Sequence, residues 1–386
     1  MIEIDQNHIT YLTNIRHQLH SMAELSGYEK NTAAFIQGLM EQCHPDEIIA
    51  NLGGDGIAAV FDSKIPGPTL LLRAELDALP IRETITLDYA SKNSGVSHKC
   101  GHDGHMAILV GAANLAAKHK IQKGKLIVLF QPAEETGQGA TAIMNDERFT
   151  ALKPDYAFAL HNLPGYPKNS IILRKGNFAA ASRGLIIRLK GHTSHAGHPE
   201  DANAPTLAFS GLIKDLTALP VSISGFNEPA IITVVHARLG AVAFGTTPGD
   251  AEILATLRTY DNTLMQKLAD RVSILAHETA KAFGLECEVA WTEVFDPTIN
   301  TAEEVEVLKE ISQKAGLEII EKERPFPWSE DFGTFTEAFK GALFGIGAGL
   351  KTPQLHQEEY DFPDQLLPQG VEIFTGLINH YLGLGS

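Results

Sequence analysis

A chain of 386 residues is longer than one hydrophobic core usually serves, so two domains are the default expectation. Its composition, 44% hydrophobic and 20% charged, is that of a globular protein, and a net charge of −16 disfavours nucleic acid and anionic membrane as partners. The opening Met-Ile-Glu-Ile-Asp lacks a basic region and an apolar run, no apolar stretch of about 18 residues occurs, and Cys43, Cys100 and Cys287 are too few for a disulfide framework. A cytoplasmic protein with no membrane segment is expected.

In chain order, the first 40 residues predict helix, with Ile9, Leu12, Ile15, Leu19 and Met22 at helical spacing. Residues 69–73 and 125–130 are short, nearly continuous apolar runs of the kind buried in parallel sheets, with a helix predicted over 106–118 between them. Residues 156–160 and 341–346 add two more strands. The stretch 184–295 has another rhythm: strand 184–190, helix 202–219, strands 230–238 and 251–260, helix 262–283 and strand 286–295. That β-α-β-β-α-β order is the split ferredoxin-like arrangement. It predicts an α/β protein in which a smaller domain, 183–295, is inserted into a larger one formed by 1–182 and 296–386.

Residues 98–105 read His-Lys-Cys-Gly-His-Asp-Gly-His, which gathers imidazoles, a thiol and a carboxylate, the side chains that bind zinc-like divalent ions. Gly101 and Gly104 let the backbone turn tightly, and the cluster is expected in the turn before the helix that starts at Met106. One or two histidines there would read as a surface turn; Cys-x-His followed by a further His favours a metal.

Polar groups also follow the predicted strands, where open α/β sheets place their sites. Glu75 and Asp77 follow the first, Gln131-Pro-Ala-Glu134-Glu135 the second, His161 and Asn162 the third, and His356 lies in a loop after the last. Alone, each acidic pair reads as a solvated face and each histidine as a structural residue. Together they converge on one rim of one sheet. Adjacent glutamates suit a metal site, since one can ligate while the other acts as general base on a metal-bound water, whose pKa the ion lowers from about 16 towards 7. Cys100 would ligate as thiolate.

These residues resemble the M20 metallopeptidase family, and within it the amidohydrolase branch of hippurate and indole-acetyl-amino-acid hydrolases. The resemblance runs through Arg73-Ala-Glu-Leu-Asp-Ala-Leu-Pro80, the 98–105 segment, Gln131–Glu135, Leu160-His-Asn162, Gly191-x-x-x-His195-Ala-x-x-Pro199, Ser329-Glu-Asp-Phe332, and Leu355-His356 followed by Tyr360-Asp-Phe362. It implies a di-metal hydrolase domain with an inserted ferredoxin-like lid used for dimerisation. One metal would be held by Cys100, Glu135 and His356, the other by Cys100, His102 and His161. Glu134 would be the base, Asp77 a further catalytic-site residue, and His195 the oxyanion stabiliser, supplied in several relatives by the other subunit.

His105 and Glu75 are candidates for orienting the ligands, and Arg258 for binding a substrate carboxylate, its bland alternative being an exposed strand arginine. Three departures stand out: Glu75 where the family usually has Asp, Gly245-Thr246-Thr247-Pro248 where it commonly reads Asn-Val-Ile-Pro, and a lid motif crowded with His192 and His198. His192 and His198 read as solvated loop histidines. The expected activity is metal-dependent removal of an acyl group from an N-acyl amino acid or similar small conjugate, with two divalent ions per chain (zinc, manganese, nickel or cobalt), in a homodimer. The alternatives are a dipeptidase or aminopeptidase with the same metals, an enzyme with Cys100 as nucleophile, and a non-catalytic metal- or ligand-binding relative, which would have no need of Glu134.

Overall fold

The computed structural model describes residues 4–223 and 229–385, so the first three residues of the N-terminal segment lie outside the described residues. The chain divides into two units, one of Met1–Phe178, Thr298–Pro325 and Asp331–Ser386, the other of Ala179–Pro297 and Phe326–Glu330. The elements run α1 (Gln6–Ser21), α2 (Lys30–Gln42), β1 (Glu47–Leu52), β2 (Gly56–Asp62), β3 (Thr69–Glu75), α3 (His102–His119), β4 (Lys125–Gln131), α4 (Gly139–Met144), α5 (Glu147–Thr150), β5 (Tyr156–Pro164), β6 (Ile171–Leu173) and β7 (Gly176–Ala179). Then come β8 (Ala181–Lys190), α6 (Thr206–Ile223), β9 (Ile231–Leu239), β10 (Asp250–Thr259), α7 (Asn262–Ala282) and β11 (Glu286–Phe295). The chain closes with β12 (Thr298–Asn300), α8 (Ala302–Lys314), β13 (Ile319–Glu321), α9 (Gly333–Ala338), β14 (Lys340–Gly349) and α10 (Leu367–Leu382).

In the first unit α1 starts where Asp5 accepts from His8 N, and it buries Leu12, Ile15 and Leu19. The single helix expected over the first 40 residues is two. A turn through Gly27, at φ +79°, separates them, and the Glu24 carboxylate accepts from the amides of Asn31 and Thr32, capping α2 from outside it. An eight-stranded sheet follows in the order β1-β2-β4-β3-β5-β14-β6-β13. Its centre, β4-β3-β5-β14, is parallel throughout, with antiparallel pairing at β1/β2, β2/β4 and β14/β6. The central apolar runs, Leu70 to Leu72 and Leu126 to Phe130, are fully buried, as strands covered on both faces must be.

Four strands, β3, β4, β5 and β14, run further than their apolar runs. Glu75 still pairs with Gln131, and His161 with Gly345. Glu75, Gln131, His161 and Asn162 are therefore strand residues at carboxyl ends, not loop residues after them.

The second unit holds a four-stranded antiparallel sheet, β11-β8-β10-β9, in the split β-α-β-β-α-β arrangement. Along β10 the inward residues alternate as Ala251, Ile253, Ala255 and Leu257, and they pack with Leu212 and Leu216 of α6 and Met265, Leu268 and Val272 of α7. α6 begins later than its sequence suggests, because residues 199–201 form a 3-10 turn and Pro205 biases the residue before it away from helix. By length and composition α6 could cross a membrane; its inner face, Ala208, Leu212 and Leu216, lies in this unit's core.

The N-terminal helix is tied down by charge as well as by apolar contact. Arg16 is buried between Asp103, Asp361 and Asp364. His20 bonds Asp103 at 2.8 Å and Glu83 at 2.9 Å. Burial disfavours its imidazolium, but the two carboxylates outweigh burial and raise His20 to about 9. Relative to an unfolded value of about 6.5, the resulting stability is complete below that pH and is lost as pH rises through about 9. His20→Gln should therefore lower the melting temperature most below about pH 6.5, with the gap from the parent narrowing towards about pH 9.5. A gap constant over that range would mean His20 is not held as a cation.

Candidate metal centre and active site

Gly101 takes φ +94°, and a side chain there would run into the Asn162 amide. This left-handed turn starts α3 at His102: the amides of Gly104 and His105 already bond Gly101 O. His102 and His105 thus occupy the first helical turn, and the expected start at Met106 is corrected. Gly104 is not a turn residue but a helical one, small because the Phe362 ring lies against it.

Cys100, His102 and His161, all buried, bring their ligand atoms within 4.8 Å of one another, and Cys100, Glu135 and His356 form a second such group around the same thiol. Cys100 Sγ lies 3.5 Å from His161 Nε2. His102 Nδ1 is 2.9 Å from Asp77 O and His161 Nδ1 is 2.8 Å from Asn162 O. A ring that donates Nδ1–H to a carbonyl keeps its Nε2 lone pair for a ligand. His102 Nε2 is buried without a hydrogen bond, 3.8 Å from the carboxylates of both Glu134 and Glu135. His356, at φ +66°, is the exposed member; its Nε2 is 3.7 Å from Glu135, and its amide bonds Lys99 O.

The field in this cluster is uneven. Burial, with help from His105, lowers His161 to about 3. Burial also opposes a charged His102, yet the Asp77 hydrogen bond and the charges of Glu75 and Glu135 raise it to about 10. Carboxylates that overcome burial in this way favour positive charge at that point. Thiol, imidazole and carboxylate donors around an unbonded imidazole nitrogen suit divalent metal ions.

The glutamate pair is held on a turn at the end of β4. Asp331 N lies 3.4 Å from Glu134 Oε1, and Glu135 N donates to Asp77 Oδ2 at 2.9 Å. Asp77 thereby serves both His102 and the backbone of Glu135. Glu75 uses both oxygens, one on Arg73 and one on His105 Nδ1 at 2.7 Å, so its extra methylene spans two partners. His105 Nε2 accepts from Asn162 N at 3.2 Å, which leaves this ring behind His161 with both nitrogens engaged.

Roles that the motifs did not reveal belong to Arg73, Asp331, Asn162 and Tyr360. Asp331 binds Arg73 at 2.5 Å, Gln131 at 2.6 Å and Ala140 N at 2.9 Å. Tyr360 OH donates to Asn162 Oδ1, and Asn162 Nδ2 to Cys100 O. The Ser-Glu-Asp-Phe and Tyr-Asp-Phe segments were the available signals.

The other candidates lie in the second unit. His195 is exposed, and its Nδ1 accepts from Gly197 N at 3.0 Å. Arg258 is half-buried on β10, with Nη1 donating to Pro327 O and Ser329 Oγ, both at 3.0 Å. His192 and His198 are exposed, the latter 3.3 Å from Glu200.

The sequence profile of Peptidase family M20/M25/M40 matches residues 71–380. N-acetyl-L-cysteine deacetylase of Bacillus subtilis (strain 168) is 33% identical over 337 residues, 87% of this chain and 80% of that protein. Hippurate hydrolase of Campylobacter jejuni is 33% identical over 373 residues, 95% of this chain and 96% of that one. Among solved structures, the Bacillus subtilis YXEP protein, a dinuclear metal binding peptidase from the M20 family, gives a TM-score of 0.82 at 26% identity over 98% of this chain and 99% of its own. A profile match across most of the chain, with a hydrolase aligned nearly end to end, makes this protein a member of peptidase family M20/M25/M40, in its amidohydrolase branch.

Proposed function

We propose that this protein hydrolyses the amide bond of N-acyl amino acids or similar small conjugates, with two divalent ions per chain as cofactors. The reading is carried by the two three-donor groups that share Cys100, with the Glu134 carboxylate beside them. Cys100, Glu135 and His356 would hold one ion, and Cys100, His102 and His161 the other. When bound, the ions supply Lewis acidity, which polarises the amide carbonyl and lowers the pKa of water.

Glu134, buried and steadied by Asp331 N, takes the proton of the attacking water and returns it to the departing amine. Asp77 keeps His102 and the Glu135 backbone in place. Glu75 and His105 support His161. His195 donates a hydrogen bond to the oxyanion, and Arg258 is the proposed partner of the substrate carboxylate.

Residues 183–295 act as a lid and dimerisation domain inserted between 1–182 and 296–386. Exposed Ile231 and Val235 on the edge strand β9, with Leu207 and Val221 on α6, support a homodimer. Three free thiols accord with a cytoplasmic location. The activities named for the relatives support the substrate class.

A hydrolysis screen of N-acyl amino acids against dipeptides, with zinc, manganese, cobalt or nickel added back after chelation, tests this reading. Chelation should abolish turnover reversibly, and elemental analysis of the refilled protein should approach two ions per chain. Full activity with a single ion would sink the shared thiol, and preference for dipeptides would make the protein a peptidase.

Glu134→Gln should cost ~10²–10⁴-fold in turnover with metal content intact; a loss of only a few-fold would assign the base elsewhere. His195→Ala should cost ~10²–10³-fold, again with metals retained. If the residue acts across a dimer, mixing the His195→Ala and Glu134→Gln chains should restore some activity. Failure to complement despite subunit exchange would assign it to its own chain.

A further inference from the structure

Between Pro132 and Glu134, Ala133 takes φ +50°, a left-handed backbone that residues with a Cβ avoid. Its carbonyl is bonded by the amides of Gln138 and Gly139. Its own amide donates to Glu29 Oε1 at 2.7 Å, a contact across 104 positions of sequence. Glu29 is fully buried and stands at the N-cap of α2, where a carboxylate ordinarily turns back onto the first amides of its helix. It makes no such cap bond, because Glu24 already takes Asn31 N, Thr32 N and Thr32 Oγ1. With that task filled, the Glu29 carboxylate faces the glutamate turn instead. Two residues on, Glu135 N is held by Asp77. The amides on either side of Glu134 are thus each held by a buried carboxylate, one from each of two separate loops.

We infer that Glu29 is a positioning residue for the glutamate pair: its carboxylate holds Ala133 in the left-handed turn that sets Glu134 and Glu135 beside Cys100 and His102. Its effect on turnover rests on the hydrolase reading above; its effect on metal retention does not.

The test compares the parent, Glu29→Ala, Glu29→Gln, Ala133→Gly and the Glu29→Ala/Ala133→Gly double variant. Each is assayed for zinc retention against a chelator, for kcat and KM on an N-acyl amino acid, and for melting temperature. Glu29→Ala should weaken zinc retention and lower kcat by ~10–100-fold with a smaller change in KM. Glu29→Gln, which keeps an acceptor oxygen, should lose less. Glycine adopts positive φ without strain, so in the Ala133→Gly background the effect of Glu29→Ala should shrink severalfold. A merely structural role at the start of α2 would lower the melting temperature equally in both backgrounds and leave the zinc and kcat effects equal as well.

Equal losses with and without Ala133→Gly overturn the inference, as does parental zinc retention in Glu29→Ala. Should Glu29→Ala not fold, Glu29→Asp, which withdraws the carboxylate by one methylene, must give the same pattern. If the parent hydrolyses no N-acyl amino acid, the substrate reading fails while zinc retention still judges Glu29.

Discussion

Ionised groups taken out of water must meet opposite charge, and this constraint organises the first unit. Arg73 lies buried between Glu75 and Asp331. Arg16 does the same for Asp103, Asp361 and Asp364, and Lys99 for Glu83. Around Cys100 the balance tips the other way. Asp77, Glu134 and Glu135 crowd His102, and the surrounding carboxylates raise that imidazole to about 10 against the pull of burial. A cluster so arranged is costly to fold by itself and is stabilised by any cation that binds only the folded state. The side chains proposed to hold the ions would then couple metal binding to stability.

The chemistry was legible because metal ligands are chosen by element. The candidate donors Cys100, His102, Glu135, His161 and His356 and the candidate base Glu134 stand out by residue type: His161 at the carboxyl end of β5, the two glutamates in the turn after β4, Cys100 and His102 in the turn that opens α3. The boundaries of the elements were not legible. The periodicity of an apolar run ends at Leu160, yet backbone pairing with β14 carries β5 through His161 to Pro164. In the same way, the apolar spacing of the first 40 residues gives no sign of the break between Ser21 and Lys30, where the chain turns through Gly27 and Glu24 caps the next helix. The ferredoxin-like order of the second unit could be read because burial alternates along β10 and the later half of β8, as strands with one face on a core do.

What remained hidden was every contact made at long sequence distance by an ordinary side chain. Glu29 has no motif around it and lies inside the stretch whose sequence predicts only helix. Its partner is a backbone amide, and an amide leaves no mark in the sequence. Tyr360, Asn162 and Cys100 form a chain of two hydrogen bonds from three separate segments, and only the fold makes them neighbours. Such residues do no chemistry. They decide where the chemistry is done, within tolerances of a few tenths of an ångström that ligand geometry demands.

The departure at Gly245-Thr246-Thr247-Pro248 has a physical consequence of the same kind. Thr247 Oγ1 accepts from Ser194 N at 2.7 Å, Thr247 N bonds Ser194 O at 3.0 Å, and Ala196 N bonds Gly245 O at 3.0 Å. His195 itself is bridged to Thr246. The segment therefore pairs with the backbone on both sides of His195 and fixes it, although the ring stays exposed. Gly197 N donating to Nδ1 then selects the tautomer, because an accepting Nδ1 in a neutral imidazole puts the proton on Nε2. An Nε2–H donor on a fixed backbone is what stabilising an oxyanion requires. A threonine hydroxyl that replaces a branched aliphatic side chain at position 247 supports that donor by gripping the neighbouring peptide, so the altered segment retains a route to the proposed role of His195.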